Sequence, residues 1–152
     1  MTAPITKWPA VVSALLSLWQ SAAGPDDGVY DGPPVTVDIP LRWVTVGWAE
    51  DDQGVSSGSP RRMPMYDGSV WGESGNVLCE IVAQTTSGDL SVARAAAWEF
   101  FDVLASAVRS DRTFGGVLSP EATVEIQGDG FPEADAGAAI FHIRVEVTYT
   151  TT

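Results

Sequence analysis

Few residues in this chain have the types and spacing that do chemistry. Gly54-Val55-Ser56-Ser57-Gly58 matches G-x-S-x-G, and the only histidine, His142, lies downstream with acidic residues between. That is the chain order of the nucleophile, acid and base of an α/β-hydrolase. The motif works on a sharp turn from a strand into a helix, which lifts the serine hydroxyl above a parallel sheet. Here it lies in a glycine- and serine-rich run that continues into Ser59-Pro60. Ser56 is therefore read as a chance match. Cys79, the only cysteine, leaves no internal disulfide, and in its strand-like run it reads as a small buried apolar residue. Carboxylates gather at Asp26-Asp27, at Glu50-Asp51-Asp52, and at Asp129, Glu133 and Asp135. None has the spacing of a calcium loop, one histidine assembles no metal site, and nothing singles out a carboxylate pair for glycoside hydrolysis. The expectation is no catalytic residue, no metal and no cofactor.

The charge balance narrows the partners. Twenty acidic side chains against eight basic ones give a net charge of −12. Such a surface repels phosphate, which argues against specific nucleic-acid binding and against anionic membranes. The apolar run at 8–23 is broken by Pro9, Gln20 and serines and is too short to span a bilayer, so the expected location is the cytoplasm. A chain of 152 residues, 45% of them hydrophobic, predicts one folded domain with a real core.

The elements that must position these residues centre on 87–118. Ala93, Ala97, Phe100, Leu104 and Ala107/Val108 recur at helical steps and predict one apolar stripe, capped by Ser87, Asp89 or Ser91. Trp98 lies off that stripe, a large aromatic awaiting a loop or a partner. Gly115-Gly116 supplies the reversal after the helix. Residues 9–22 predict a first helix with Val11/Val12, Leu15, Leu18/Trp19 and Ala22 inward, stopped by the Gly-Pro-Asp-Asp-Gly at 24–28. Alternation predicts strands at 35–39 and 41–48, the stretch at 29–34 being a turn. A long central strand follows at 76–86, then strands at 122–127 and 140–149, with Phe141, Ile143, Val145, Val147 and Tyr149 inward and His142 outward. Between them, 49–76 loses all periodicity and carries Arg61, Arg62, Met65, Tyr66 and Trp71, residue types that interfaces favour. Phe131 stands at the tip of an acidic turn at 128–137. The fold expected is α+β: a two-layer sandwich, a mostly antiparallel sheet of four to five strands with two helices on one face and a long excursion loop.

This order resembles the tail terminator proteins of long-tailed (siphovirus-type) bacteriophages. The resemblance rests on the N-terminal helix, Val29-Tyr30-Asp31-Gly32-Pro33, and the central strand before Gly88-Asp89-Leu90-Ser91-Val92-Ala93-Arg94. To these it adds Arg109-Ser110-Asp111-Arg112-Thr113-Phe114-Gly115-Gly116-Val117 and the long last strand, so it covers nearly the whole chain. The resemblance implies a virion protein at the head–tail junction, assembled in the host cytoplasm. It implies a ring, typically of six copies, that caps the tail tube protein, stops its polymerisation and meets the head-side connector or stopper. Genomic DNA would pass through the lumen without specific binding. Arg61, Arg62, Met65, Tyr66, Trp71, Trp98 and Phe131 are then the expected contacts between subunits or rings. The alternatives are another neck or joining protein of the same fold, a small serine hydrolase using Ser56, or a monomeric adaptor module.

Overall fold

The computed structural model describes residues 6–34, 39–47, 49–51, 54–56, 61–64, 71–128, 133–135 and 137–151, with 49–51, 54–56, 61–64, 71, 133–135 and 151 described by backbone alone. The order is α1 (Trp8–Ala22), β1 (Asp27–Asp31), β2 (Arg42–Val46), β3 (Ala49–Asp51), β4 (Gly54–Ser56), β5 (Arg61–Pro64), β6 (Trp71–Gln84), α2 (Leu90–Ser110), β7 (Thr123–Gly128), β8 (Glu133–Asp135) and β9 (Ala138–Thr151). The main sheet runs β1-β2-β6-β9-β7, with β5 added beside β6 and β8 beside β9. β1 lies parallel to β2 and every other pair is antiparallel, so the fold is α+β with a mixed sheet. β3 and β4 form a separate hairpin.

Alternation in the two long strands builds the core. Val77, Cys79, Ile81 and Ala83 of β6 share a face with Phe141, Ile143, Val145, Val147 and Tyr149 of β9, and all are buried. Both helices cover that face. Trp8, Val11, Leu15 and Trp19 form the buried stripe of α1, and Ala93, Ala97, Phe100, Leu104, Ala105 and Val108 that of α2. The alanines let α2 lie close to the sheet. Trp8 seats on Gly75 of β6, where any Cβ would fall 2.7–3.1 Å from the indole ring. The two helices are joined by Trp19 Nε1, which donates to the Leu104 carbonyl at 3.2 Å.

Asp89 caps α2, its Oδ1 accepting from the Ser91 amide at 2.9 Å. After the helix, Asp111 orders the reversal. Its carboxylate accepts from the Thr113 hydroxyl (2.8 Å) and amide (3.2 Å) and from the Gly115 amide (2.8 Å). Gly115 and Gly116 take positive φ, and so does Phe114, whose side chain is driven into the core.

Two expectations need correction. The first strand among the described residues is 27–31; of the strand expected at 35–39, residues 35–38 lie outside the described residues and Ile39 is in no strand. The turn expected at 29–34 is strand as far as Asp31. Its place is fixed by charge, because Arg42 opposite Asp27 in the β1/β2 register grips the Asp27 carboxylate. That grip is the main cause of the raised pKa of Arg42. The same guanidinium reaches the Ala96 carbonyl and Glu99 of α2 and lies 5.1 Å from the Phe100 ring centroid. Nor is 49–76 a structureless excursion. It holds β3, β4, β5 and the first residues of β6, strands too short to print a period in the sequence.

Candidate assembly surface

β6 and β9 pair along their whole lengths, from Trp71 opposite Thr151 to Gln84 opposite Ala138. At the Gln84 end β2 flanks β6 and β8 flanks β9, and β7 flanks the middle of β9. The Trp71 end is built differently. There β5 lies along β6, from Arg61 opposite Ser74 to Pro64 opposite Trp71. On the far side, β7 begins at Thr123 opposite Thr148, and β9 residues 149–151 have no further strand beside them among the described residues. The chain ahead of β7 turns away, with the Ala122 amide bonding the Ser119 carbonyl. The divergence opens a cavity of about 310 Å³ lined by Gly72, Ser74, Ser119, Glu121, Thr148 and Thr150.

Glu73 braces this end from the core side and is only 1% exposed. Its Oε2 accepts from the Thr6 hydroxyl at 2.6 Å and the Tyr149 phenol at 3.1 Å, and its Oε1 accepts from the Lys7 amide at 3.4 Å. Thr6 Oγ1 in turn accepts from the Trp8 amide at 3.1 Å. Lys7 offers α1 no side-chain cap, so a carboxylate from a distant strand closes the helix N-terminus, where negative charge is favoured. On the opposite face of the sheet, Glu80 Oε2 and His142 Nε2 lie 3.0 Å apart, and Gln127 donates to Glu146 at 3.3 Å.

The expected contact residues divide. Arg61 and Arg62 lie in β5, and Trp71 opens β6 opposite Pro64, so the backbone gathers three of them at one end of the sheet. Met65, Tyr66 and Phe131 lie outside the described residues. Trp98 is 39% exposed and packs on Phe141 (centroids 4.7 Å apart) and Phe101 (6.2 Å) at the other flank of α2. It forms the rim of the core rather than standing free of it. Phe101 and Ala105, three and seven residues on, were the periodic signal for this second stripe.

Ser56 ends the β3/β4 hairpin, and the next described element is β5, a strand rather than the helix a nucleophile elbow needs. Cys79 is fully buried, and burial pushes its thiol up to about 12, far from a reactive thiolate. Among the described residues, no three His, Cys, Asp or Glu side chains gather as a metal site. Neither a protein-family model nor a curated protein matches this chain. Sequence reasoning missed Glu73 because it started the central strand at Asn76. Continuing the alternation back from Val77 places Glu73 on the inward face.

Proposed function

We propose that this chain is a structural virion protein: a tail terminator whose copies form a ring of six, capping the tail tube of a long-tailed phage. The ring stops tube polymerisation and joins the tail to the head-side connector. The observation that carries this proposal is the order of elements with their signature segments. A helix and strands precede a long central strand. Then comes a helix begun by Gly88-Asp89-Leu90-Ser91, the Arg112-Thr113-Phe114-Gly115-Gly116 reversal and a 14-residue last strand. Three further features support it. A ring needs two different lateral surfaces per subunit. At the Trp71 end of the sheet, β5 with Arg61 and Arg62 and the last residues of β9 lie on opposite sides of β6. A net charge of −12 per copy suits a bore through which DNA slides without sticking. The half-exposed Trp98 offers an aromatic anchor for a neighbouring ring.

The direct test adds the purified protein to polymerising tail tube protein. Tubes should stop growing and carry a ring at one end in electron micrographs. Tubes that grow unchanged and uncapped contradict the assignment.

A further inference from the structure

Four large apolar side chains are exposed among the described residues, and three of them fall into two sites of unlike shape and charge. Ile39 (44% exposed) and Leu41 (54%) line an open groove of about 650 Å³ with Pro25, Asp26, Tyr30 and Pro40. Tyr30 folds over Gly28, where an added Cβ would fall 2.6–2.8 Å from its ring and hydroxyl, so this wall of the groove is seated on bare backbone. Asp26 is exposed, and no hydrogen bond or ion pair engages its carboxylate among the described residues. The second site is a ridge on α2. Trp98 stands 39% exposed on a base of Phe101 and Phe141. Arg94, one turn earlier on the same face, is exposed and has no acid partner among the described residues. Arg42, next to Leu41, reaches the Ala96 carbonyl and Glu99 at one flank of α2, whereas Trp98 packs on β9 at the other. β2 and β9 border β6 on opposite sides, so groove and ridge cannot meet within one chain.

We propose that the groove receives a second copy of this chain: Trp98 of one copy seats between Ile39 and Leu41 of the next, and Arg94 meets Asp26. Charge selects this occupant. An acidic, apolar groove calls for an apolar anchor beside a base. Of the basic side chains described, Arg42 is tied to Asp27 and Glu99, Arg112 to the Val124 carbonyl, and Arg144 lies by Glu146. That leaves Lys7, Arg94 and Arg109, and only Arg94 stands one helical turn from an exposed aromatic. Tryptophan and arginine are also the side chains that dominate binding energy at protein interfaces. Asp102, one turn beyond Trp98, is exposed and gives the ridge a direction, because a reversed ridge would set Asp102 against Asp26. A contact between unlike sites is head-to-tail, so it propagates from copy to copy. It deepens the ring proposed above and assigns Trp98 to the next subunit of the same ring rather than to a neighbouring ring. It rests on that proposal for closure, not for its own formation.

The test uses the whole chain in native mass spectrometry across protein concentration. The wild type should assemble, and Leu41→Ser and D26R should each need on the order of tenfold more protein to do so. Both positions are exposed, so a thermal melt should show these variants folded, and adding R94D to D26R should restore assembly. In a separate D26C/R94C variant, a short bis-maleimide should give a ladder extending past the dimer, because each chain then links to two neighbours. Cys79 is buried and stays out of that reaction. A wild type that assembles while all of these substitutions leave it unchanged overturns this contact and leaves the ring standing. Cross-linking that stops at dimers overturns the head-to-tail geometry. Variants that assemble normally yet no longer cap tail tubes assign the groove to the tube protein and overturn the copy-to-copy contact. A chain that stays monomeric at every concentration overturns the contact whatever it does to tube growth.

Discussion

Glu73 is the residue whose removal tests the architecture of this sheet end most sharply. Replacing it by alanine takes the shared acceptor from the Thr6 hydroxyl and the Tyr149 phenol, at 2.6 and 3.1 Å. Hydrogen bonds to a charged group contribute about 1.5–3 kcal/mol each, and the 3.4 Å contact from Lys7 adds little. Part of that is recovered when Thr6 is rehydrated, so we predict a loss of about 3–4 kcal/mol from a total on the order of 5–15. At roughly 3 °C per kcal/mol for a chain of this size, the melting temperature falls by about 10 °C. Urea unfolding followed by far-ultraviolet circular dichroism measures the first figure and a thermal melt the second. Tyr149→Phe alone should cost about 1.5–2 kcal/mol, and less once Glu73 is already alanine, because the two share a bond. A Glu73→Ala cost below about 1 kcal/mol, or strictly additive single and double variants, would refute the claim that this carboxylate ties α1 to the sheet.

Other outcomes follow from the same geometry. Gly128 lies against the buried Phe141 ring, and an added Cβ would come within 2.8 and 3.1 Å of two ring carbons. Gly128→Ala should therefore cost about 2 kcal/mol in urea, and a neutral substitution would show that the ring moves aside freely. Asp89 is held below its ordinary value of 3.8 by the Ser91 hydroxyl first, and Asp111 by the Thr113 hydroxyl first. Folded-state values that are depressed mean that these caps stabilise fully above the unfolded carboxylate value and are lost as pH falls through the lowered ones. The urea midpoint should thus decline on the acid side, and Asp111→Asn should flatten that decline; an unaltered slope contradicts it. Cys79 should resist a thiol reagent at pH 8 until the chain unfolds, whereas rapid labelling of the folded protein would contradict its burial.

The long elements were legible because their periods repeat several times. Val11, Leu15 and Trp19, then Ala93, Ala97, Phe100 and Leu104, mark their helix faces unambiguously, and the five inward residues of β9 mark its sheet face. β1 was not legible. Asp27-Gly28-Val29-Tyr30-Asp31 resembles a turn by composition, and its place depends on Arg42, fifteen residues on. The strands at 49–64 were hidden by brevity, since three or four residues carry no period. Glycine seats were invisible for another reason. Gly75 and Gly128 are set by Trp8 and Phe141, aromatics distant in sequence that fill the space a side chain would take. At the candidate site, composition picked out Arg61, Arg62 and Trp71, but only strand pairing placed them at one end of the sheet. Pairing also supplied what composition lacked, the placement of Glu73 opposite Tyr149 on the inward face of that end.

The proposal that this chain ends tail growth is tested most directly by the length of the tails made without it. Silencing its synthesis in an infected host and imaging the particles should give filled heads beside headless tails that run well beyond the normal length. Intact virions with tails of normal length would contradict the proposal, and normal-length tails detached from filled heads would move the protein to a joining role in the neck.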